Sequence, residues 1–368
     1  MGDHPLIPDY DGGCISGLVP ALIEPSDGVP PAWLPAAAVE ADQVVLLVLD
    51  GLGWEQLQAR RPLAPTLCDL AGGPIDSVTP TTTATALTSI ATGLPPGDHG
   101  VVGYRVAVDS EVLNILRWST PRGDARRSID PERFQPHSAF CGQRPAVVTK
   151  AEFASSGFSG AHLSQVRFNG YRVPSTLVTE IRRLLAAGEP FLYAYYDGVD
   201  KVSHEYGLGE HYDAELSAAD RLVADVLSVL PPGAALVVTA DHGQVDVGDR
   251  IVHLHPDLGE HIAMQSGEGR FRWLHARPGR VAALHEAAAA HHGGDAWVVT
   301  RDETIEDGWW GPRVTDDARA RLGDVALVAR EPVSFHDDAD TGPFVLVGRH
   351  GSMTPAEVLV PCLVGANL

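Results

Sequence analysis

Six aspartate and histidine side chains stand where they could share a metal site. Three short apolar runs end in or beside such residues, and two more of them lie four residues apart. On a helix, that spacing puts a carboxylate and an imidazole on the same face. Carboxylate oxygen and imidazole nitrogen are ligands that suit zinc, which leaves a coordination position open for a substrate. The six residues are Asp50, Asp200, His204, Asp241, His242 and His350.

Taken singly, these residues have simpler explanations. Asp50-Gly51 is typical of a turn after a strand, and Asp200 with His204 could be a pair on a helix surface. Asp241-His242 is harder to explain in this way, because two metal-type ligands directly follow an apolar run. The combination of all six favours a site.

The segment "TPTTTATALTSIATG", residues 79–93, contains seven threonines and no charged residue. β-Branched residues at this density lower helix propensity. One explanation is a turn or cap whose hydroxyls bond to the nearby backbone. The other is that one hydroxyl, at the start of a helix, is a nucleophile.

The elements that would position these residues are short apolar runs without polar alternation, at 44–50, 191–197, 235–241 and 343–350. Such runs indicate strands that are buried on both faces. Helical patterns at 173–188 and 213–230 alternate with them. The sequence therefore predicts an α/β fold with a doubly wound, mostly parallel sheet and helices on both faces. In such sheets, ligands bind beyond the carboxyl ends of the strands, where the candidate ligands fall.

The segment 251–340 has a different pattern, which reads strand, helix, strand, strand, with glycine and acidic turns between. We expect it to be an inserted α+β cap subdomain. Residues 1–250 and 341–368 then form the core, with a loop-rich insertion near 105–165. Within 251–340, His253 and His255 could line the pocket, bind an extra metal or lie on a partly exposed strand. The histidines of "HEAAAAHHGG" (285–294) have the pattern of the polar end of a helix.

The net charge, the cysteine spacing and the apolar runs of the chain exclude several classes of function. The net charge is −21, so binding to a nucleic acid polymer or an anionic membrane is not expected. A small anionic substrate would need local positive charge, which bound metal ions could supply. The four cysteines show no C-x-x-C spacing, which argues against a structural zinc cluster. Without a recognisable signal or an apolar run long enough to span a bilayer, we expect a cytoplasmic protein.

The order of the motifs resembles the type I phosphodiesterase/nucleotide pyrophosphatase family of the alkaline phosphatase superfamily. That family has an Asp after the first strand, a P-T-x-T motif before a helix that ends in T-G, then D-x-x-x-H, D-H-G and a late H-G. The resemblance extends over residues 44–351. The matching segments are Asp50, "PTTTATALTSIATG" from Pro80, Asp200 to His204, Asp241-His242-Gly243 and His350-Gly351.

The resemblance implies a role for each matching residue. The second threonine of P-T-x-T is Thr83, which becomes the nucleophile, with Thr82 as its rival. Asp50, Thr83, Asp241 and His242 would hold one metal ion. Asp200, His204 and His350 would hold a second. The ions would be Zn²⁺ or Mn²⁺, and the reaction would pass through a covalent phospho-threonine.

This sequence departs from the family at one position. The family has an Asn some twenty residues after the nucleophile that donates to a phosphoryl oxygen, and here Gly103 or Tyr104 stands there. Tyr104 could donate through its phenol or merely line the pocket, and Arg105 lies beside it. Both are candidates for substrate binding.

The function that the resemblance implies is a two-metal phosphodiesterase/nucleotide pyrophosphatase with a small phosphoester substrate, such as a nucleotide. The alternatives are a phosphomonoesterase or a phosphonate hydrolase of the same superfamily, and a metal-binding protein without catalysis. A sulfatase is disfavoured because the chain lacks a cysteine or serine in the C/S-x-P-x-R context.

Overall fold

The computed structural model describes residues 4–24, 30–340 and 345–367. Its strands are β1 (Gln43–Leu49), β2 (Ala71–Asp76), β3 (Arg105–Val108), β4 (Glu111–Asn114), β5 (Ser119–Thr120), β6 (Gly123–Asp124), β7 (Ala146–Lys150), β8 (Arg167–Tyr171), β9 (Phe191–Tyr196), β10 (Ala234–Thr239), β11 (Val245–Asp246), β12 (Ile251–Val252), β13 (Ile262–Glu268), β14 (Phe271–Ala276), β15 (Ala296–Thr300), β16 (Val325–Ala329), β17 (Ser334–Phe335), β18 (Gly348–Arg349) and β19 (Leu359–Asn367).

The α-helices vary from four to nineteen residues. They are α1 (Leu18–Ile23), α2 (Ala37–Glu40), α3 (Trp54–Ala59), α4 (Pro65–Asp69), α5 (Thr83–Thr92), α6 (Pro96–His99), α7 (Pro131–Phe134), α8 (Gly157–His162), α9 (Pro174–Ala186), α10 (Gly198–Tyr206), α11 (Glu210–Ser228), α12 (Val281–His292), α13 (Arg301–Glu306), α14 (Asp316–Arg321) and α15 (Pro355–Val358). No helix in the described ranges is both long enough and apolar enough to cross a membrane.

A seven-stranded sheet forms the centre of the fold, in the order β2-β19-β10-β1-β9-β7-β8. Strands β10, β1, β9, β7 and β8 run parallel to one another, and β19 is antiparallel to both β10 and β2. Every residue of β10 is buried, as are residues 44–49 of β1, so helices and loops cover both faces of the sheet. The predicted α/β fold with a mostly parallel sheet is confirmed.

One predicted strand is wrong. Of the apolar run 343–350, residues 343 and 344 lie outside the described residues. In the remainder only Gly348–Arg349 is a strand, and it pairs with β11 outside the central sheet. Val345 is 71% exposed, so apolar composition did not indicate burial here. The place beside β10 belongs to β19 instead, whose antiparallel pairing the sequence did not reveal.

The predicted loop-rich insertion near 105–165 also needs correction. Strands β3 to β6 form a small antiparallel sheet, but β7 is an internal strand of the central sheet. The run "AVVTK" of β7 is short and follows a loop, so its hydrophobic signal did not stand out.

A second sheet, in the order β13-β14-β16-β15, lies within residues 251–340. Helix α12 packs against β15 and β16. On the other face, Phe271, Trp273, Trp309 and Trp310 join the main hydrophobic core. The separate sheet supports our proposal that 251–340 is an inserted subdomain and that the rest of the chain is the core.

Candidate functional site

The central sheet brings three of the predicted motifs to one edge. Strand β1 lies between β9 and β10, and all three are parallel. Asp50 directly follows β1, and Asp241 follows β10 after one residue. Helix α10, which carries Asp200 and His204, starts two residues after β9. Because the carboxyl ends of adjacent parallel strands meet at the same edge, residues far apart in sequence converge there.

The first cluster is formed by Asp50, Thr83, Asp241 and His242. Nε2 of His242 lies 3.4 Å from Oδ1 of Asp50 and 3.4 Å from Oδ2 of Asp241. The Thr83 hydroxyl oxygen lies 3.2 Å from the same nitrogen. Zinc–ligand bonds of about 2.0–2.1 Å in a tetrahedral site separate the ligands by roughly 3.3–3.4 Å. The cluster therefore has the spacing of a metal site.

The second cluster is formed by Asp200, His204 and His350. Oδ1 of Asp200 lies 3.3 Å from Nε2 of His204 and 3.7 Å from Nε2 of His350. The two histidine nitrogens are 3.3 Å apart. The ring of His350 also stacks on that of His242, with 3.6 Å between the ring centroids, so the two clusters are in direct contact.

Backbone carbonyls orient all three histidines. Nδ1 of His204 lies 2.7 Å from the Gly348 oxygen, and Nδ1 of His350 lies 2.8 Å from the Thr81 oxygen. Nδ1 of His242 is 3.0 Å from the oxygen of Gly243. A carbonyl can only accept, so each Nδ1 carries a proton, and in the neutral imidazole the lone pair is then on Nε2, which is directed at its cluster. Metal-binding histidines are commonly oriented in this way.

The buried carboxyl groups of the site favour the binding of a cation. Burial, together with the nearby charges of Asp241 and Asp200, raises the pKa of Asp50 well above its usual range. Burial likewise raises the pKa of Asp241 and lowers that of His350. Oδ1 of Asp50 and Oδ2 of Asp241 are buried, and no donor among the described residues forms a hydrogen bond with either oxygen. Two unsatisfied carboxylate oxygens that face a histidine lone pair fit a divalent ion.

The threonine-rich segment forms the buried helix α5 and the turn before it. Thr82 is the N-cap in extended conformation, and the helix ends at Gly93, whose φ of 71° favours glycine. Inside the helix, the hydroxyl of Thr88 donates to the Ala84 carbonyl at 2.7 Å, and that of Thr92 donates to the Thr88 carbonyl at 2.7 Å. These bonds satisfy hydroxyls that have no water beside them.

Three consecutive threonines at the helix start have different neighbours. The Thr81 hydroxyl donates to the Ser352 carbonyl at 2.7 Å, which fixes the His350 loop against this segment. Thr82 lines the second cavity together with Glu268. The Thr83 hydroxyl points into the first cluster. Thr83 is also the first residue of α5, where backbone N–H groups lack intrahelical partners and attract anions.

Two cavities meet at Thr83. The first, of about 220 Å³, is lined by Phe153, Phe158, Tyr193 and Tyr195, with Lys201 also on its wall. The second, of about 280 Å³, is more polar and includes His204, His350, Arg117, Glu268 and Arg349. Substrate groups could therefore extend from Thr83 in two directions with different chemistry.

The two substrate-binding candidates are placed differently. Tyr104 lines the second cavity with Thr83, and its phenol oxygen accepts a hydrogen bond from Nδ2 of Asn114 at 2.7 Å. Arg105 is buried and forms an ion pair with Asp337 at 2.6 Å, on the wall of another cavity that does not include Thr83. The structure thus brings Tyr104, but not Arg105, to the cavities at Thr83.

Sequence reasoning missed two residues that support the clusters. The phenol of Tyr195, on β9, donates to Oδ2 of Asp50. The side-chain amide of Gln244 donates to Oδ1 of Asp200 at 2.6 Å. Gln244 directly follows the D-H-G motif, and Tyr195 lies on the strand beside Asp50, so only the strand order could have indicated either role.

One known protein family and several solved structures are similar to this chain. The family model of type I phosphodiesterase/nucleotide pyrophosphatase matches residues 44–353, which is most of the chain. Curated protein sequences yield no match.

Solved structures give the fold independently. An inactive variant of murine ectonucleotide pyrophosphatase/phosphodiesterase 5 in complex with AMP has 16% identity and a TM-score of 0.66, and the match covers 89% of this chain and 88% of that one. The human protein of the same name has 16% identity, a TM-score of 0.64 and 88% coverage of both chains. Phosphonoacetate hydrolase from Sinorhizobium meliloti in complex with phosphonoacetate has 18% identity, a TM-score of 0.64, and coverage of 89% and 91%. At these identities the similarity establishes the fold.

Proposed function

The chain belongs to the type I phosphodiesterase/nucleotide pyrophosphatase family, and from this we propose that it is a two-metal phosphodiesterase/nucleotide pyrophosphatase that acts through a phospho-threonine on Thr83. Family and fold support a phosphoester hydrolase. The nucleophile, the ligand sets and the preference for diesters are our proposal.

The position of the Thr83 hydroxyl carries the proposal. It lies 3.2 Å from Nε2 of His242, at the N-terminus of a fully buried helix and at the junction of two cavities. The hydroxyl of Thr81 donates to the Ser352 carbonyl instead, and Thr82 is the N-cap that lines the second cavity beside Glu268. Of these three threonines, Thr83 is the one whose hydroxyl contacts His242 of the first cluster.

The ligand sets follow from the two clusters. Asp50, Thr83, Asp241 and His242 would hold one divalent ion, and Asp200, His204 and His350 would hold the other. When bound, such ions neutralise the phosphoryl oxygens and make the Thr83 oxygen and water competent nucleophiles near neutral pH. Aspartate and histidine accept both Zn²⁺ and Mn²⁺, and we propose Zn²⁺.

The proposed reaction has two displacements at phosphorus. Oγ1 of Thr83 forms the new bond to phosphorus and gives up its proton, while the bond to the leaving oxygen breaks and that oxygen takes up a proton. Water then attacks phosphorus and restores the hydroxyl of Thr83. The first N–H groups of α5 face the anionic oxygens, and the rigid surroundings of Thr83 hold it in line.

The substrate that we propose is a small phosphoester such as a nucleotide. The aromatic wall of the first cavity suits a flat organic group, and the polar second cavity suits the opposite substituent on phosphorus. We also propose a cytoplasmic location, because all four cysteines are free, as is usual in reducing compartments.

A phosphonate hydrolase is the second candidate, because of Lys201. Its side chain lines the first cavity together with Thr83 and lies 2.7 Å from Asp197, which also binds Lys150 at 2.6 Å. Such a cation could pair with a carboxylate at the far end of a short phosphonate. The phosphonoacetate complex of a structural relative makes this substrate worth testing.

One substrate comparison separates these functions. Zinc-loaded protein is offered bis-p-nitrophenyl phosphate, p-nitrophenyl phosphate and phosphonoacetate, and product release is measured for each. The proposal predicts the highest kcat/KM on the diester. A preference for the monoester or for phosphonoacetate would favour the corresponding alternative. Two bound metal ions without turnover of any substrate would favour the non-catalytic metal-binding protein.

A further inference from the structure

Three side chains that could bind a metal ion lie close together on the surface of the 251–340 segment. None of them lines either of the cavities at Thr83. Oδ2 of Asp257 lies 3.1 Å from Nε2 of His291 and 3.5 Å from Nδ1 of His255. One potential ligand atom from each residue lies within 4.8 Å of the other two. His291 comes from a different segment than the other two, so the fold, and not local sequence, makes this group.

The backbone around the group is fixed by hydrogen bonds. The amide of His255 donates to Nε2 of His292 at 3.1 Å, and His292 is buried at the end of α12. The amide of Asp257 donates to Nδ1 of His255 at 3.3 Å, a bond that the His255 ring would exchange for the metal on coordination, because a neutral imidazole has one lone pair. The rings of His255 and His291 stack with 3.6 Å between their centroids. The two segments are thus held against each other.

The chemistry of the group selects a class of cation. Two imidazoles and one carboxylate suit Zn²⁺ and its neighbours Cu²⁺ and Ni²⁺, whereas Ca²⁺ and Mg²⁺ prefer oxygen ligands alone. His291 lies in the last turn of α12, where the helix dipole favours positive charge. The protein's net charge of −21 also attracts cations.

Coordination would require the stacked rings to turn, because an imidazole lone pair lies in the plane of its ring. The side chains of His255 and His291 are 42% and 31% exposed, so both have room to rotate.

We propose that His255, Asp257 and His291 form a third divalent-metal site, which takes Zn²⁺ and fastens the 255–257 turn to the end of helix α12. The three side chains leave a fourth coordination position to water. The site is separate from the proposed catalytic clusters, so the inference does not depend on the proposed function.

Zinc binding to the whole chain tests the proposal. Wild-type protein is stripped with a chelator and dialysed against buffered free Zn²⁺ alone, and bound zinc per chain is measured by elemental analysis. The test variant is His291→Ala. The matched control is His336→Ala, which removes a histidine that pairs with Asp338 at 2.8 Å but belongs to no group of three potential ligands among the described residues.

The proposal predicts that His291→Ala binds one zinc ion fewer per chain than wild type and that His336→Ala binds the same number. The zinc-induced rise in Tm should also be smaller for His291→Ala, because a ligand stabilises only the form that binds it. If His291→Ala does not fold, Asp257→Asn is used with the same expectation. Equal zinc content in wild type and the folded test variant, or an equal loss in the control, would overturn the proposal.

Discussion

The hydroxyl oxygen of Thr83 lies 3.2 Å from Nε2 of His242, although the two residues are 159 positions apart in the chain. Thr83 begins the buried helix α5, and His242 follows the central strand β10. The contact places a hydroxyl, the N-terminus of a helix and a histidine lone pair at one point. Since Oδ1 of Asp50 and Oδ2 of Asp241 are unpaired beside it, this point is where we expect the catalytic chemistry.

Tyr195 should tighten metal binding through Asp50. Its phenol donates to Oδ2 of Asp50, so Tyr195→Phe should raise the dissociation constant for the metal by about 10–100-fold, as is usual when such a supporting bond is lost. Tyr193→Phe is the matched control, because Tyr193 lies on the same strand and cavity wall, but its hydroxyl has no hydrogen-bond partner in the part of the chain that the structure describes. Zinc titration with a competing chelator measures both. Equal affinities in the two variants would contradict the role of Tyr195.

The buried charge of Asp50 should destabilise the metal-free protein. Burial raises its pKa, and a carboxyl with a raised folded-state pKa lowers stability at any pH above its unfolded value of about 3.9. At pH 7 with a chelator present, Asp50→Asn should therefore raise the free energy of unfolding, by roughly 1–3 kcal/mol, the usual range for an unsatisfied buried polar group. Activity should be lost. Urea unfolding measures the stability.

Asp197→Asn provides the contrast, because Asp197 is buried between Lys150 and Lys201 at 2.6 and 2.7 Å. Removal of that charge leaves two cations without their partner and should lower stability. If Asp50→Asn lowers the free energy of unfolding as Asp197→Asn does, the assignment of Asp50 as an uncompensated charge is wrong.

His99 should make the protein less stable in weak acid. It is buried, with Nδ1 accepting from the Val101 amide at 3.1 Å and Nε2 beside the Ser89 hydroxyl at 2.8 Å. Burial lowers the pKa of His99 to about 3. The contribution of neutral His99 to the free energy of unfolding is present above the unfolded-state pKa of about 6.5. It is lost as the pH falls below that value, because only the unfolded chain takes up the proton.

Between pH 7.5 and 5 this loss amounts to about 2 kcal/mol of unfolding free energy. His99→Gln should remove that part of the pH dependence. Urea unfolding of both proteins across this range measures it. An unchanged slope in the variant would show that His99 is not the group responsible.

Much of the fold could be predicted because the strands at 44–50, 191–197 and 235–241 are continuous apolar runs followed by polar residues. Burial on both faces produces that pattern, and parallel order puts the polar residues together. In the run at 343–350, the described residues contain only the two-residue strand Gly348–Arg349, and Val345 is exposed, so pattern alone misassigned it. Strand β19, antiparallel at the position next to β10, depends on pairing with distant residues that local sequence does not encode.

The candidate ligands could be found because they directly follow these strands or share a helix face. The features of the site that the sequence did not predict depend on contacts between residues far apart in the chain. The role of Tyr195 requires that β9 lie beside β1, and the burial of Arg105 requires Asp337 from the 251–340 segment. The group of His255, Asp257 and His291 likewise forms only when α12 packs beside the turn at 255–257.

The most direct test is to compare Thr83→Ala with Thr82→Ala on bis-p-nitrophenyl phosphate, with bound metal measured in each protein. We predict that Thr83→Ala loses at least about a thousand-fold in kcat while it still binds metal, as expected when a nucleophile is removed. Thr82→Ala should keep most of the activity, because the hydroxyl that contacts His242 belongs to Thr83. Full activity in metal-loaded Thr83→Ala would contradict the assignment of Thr83 as the nucleophile.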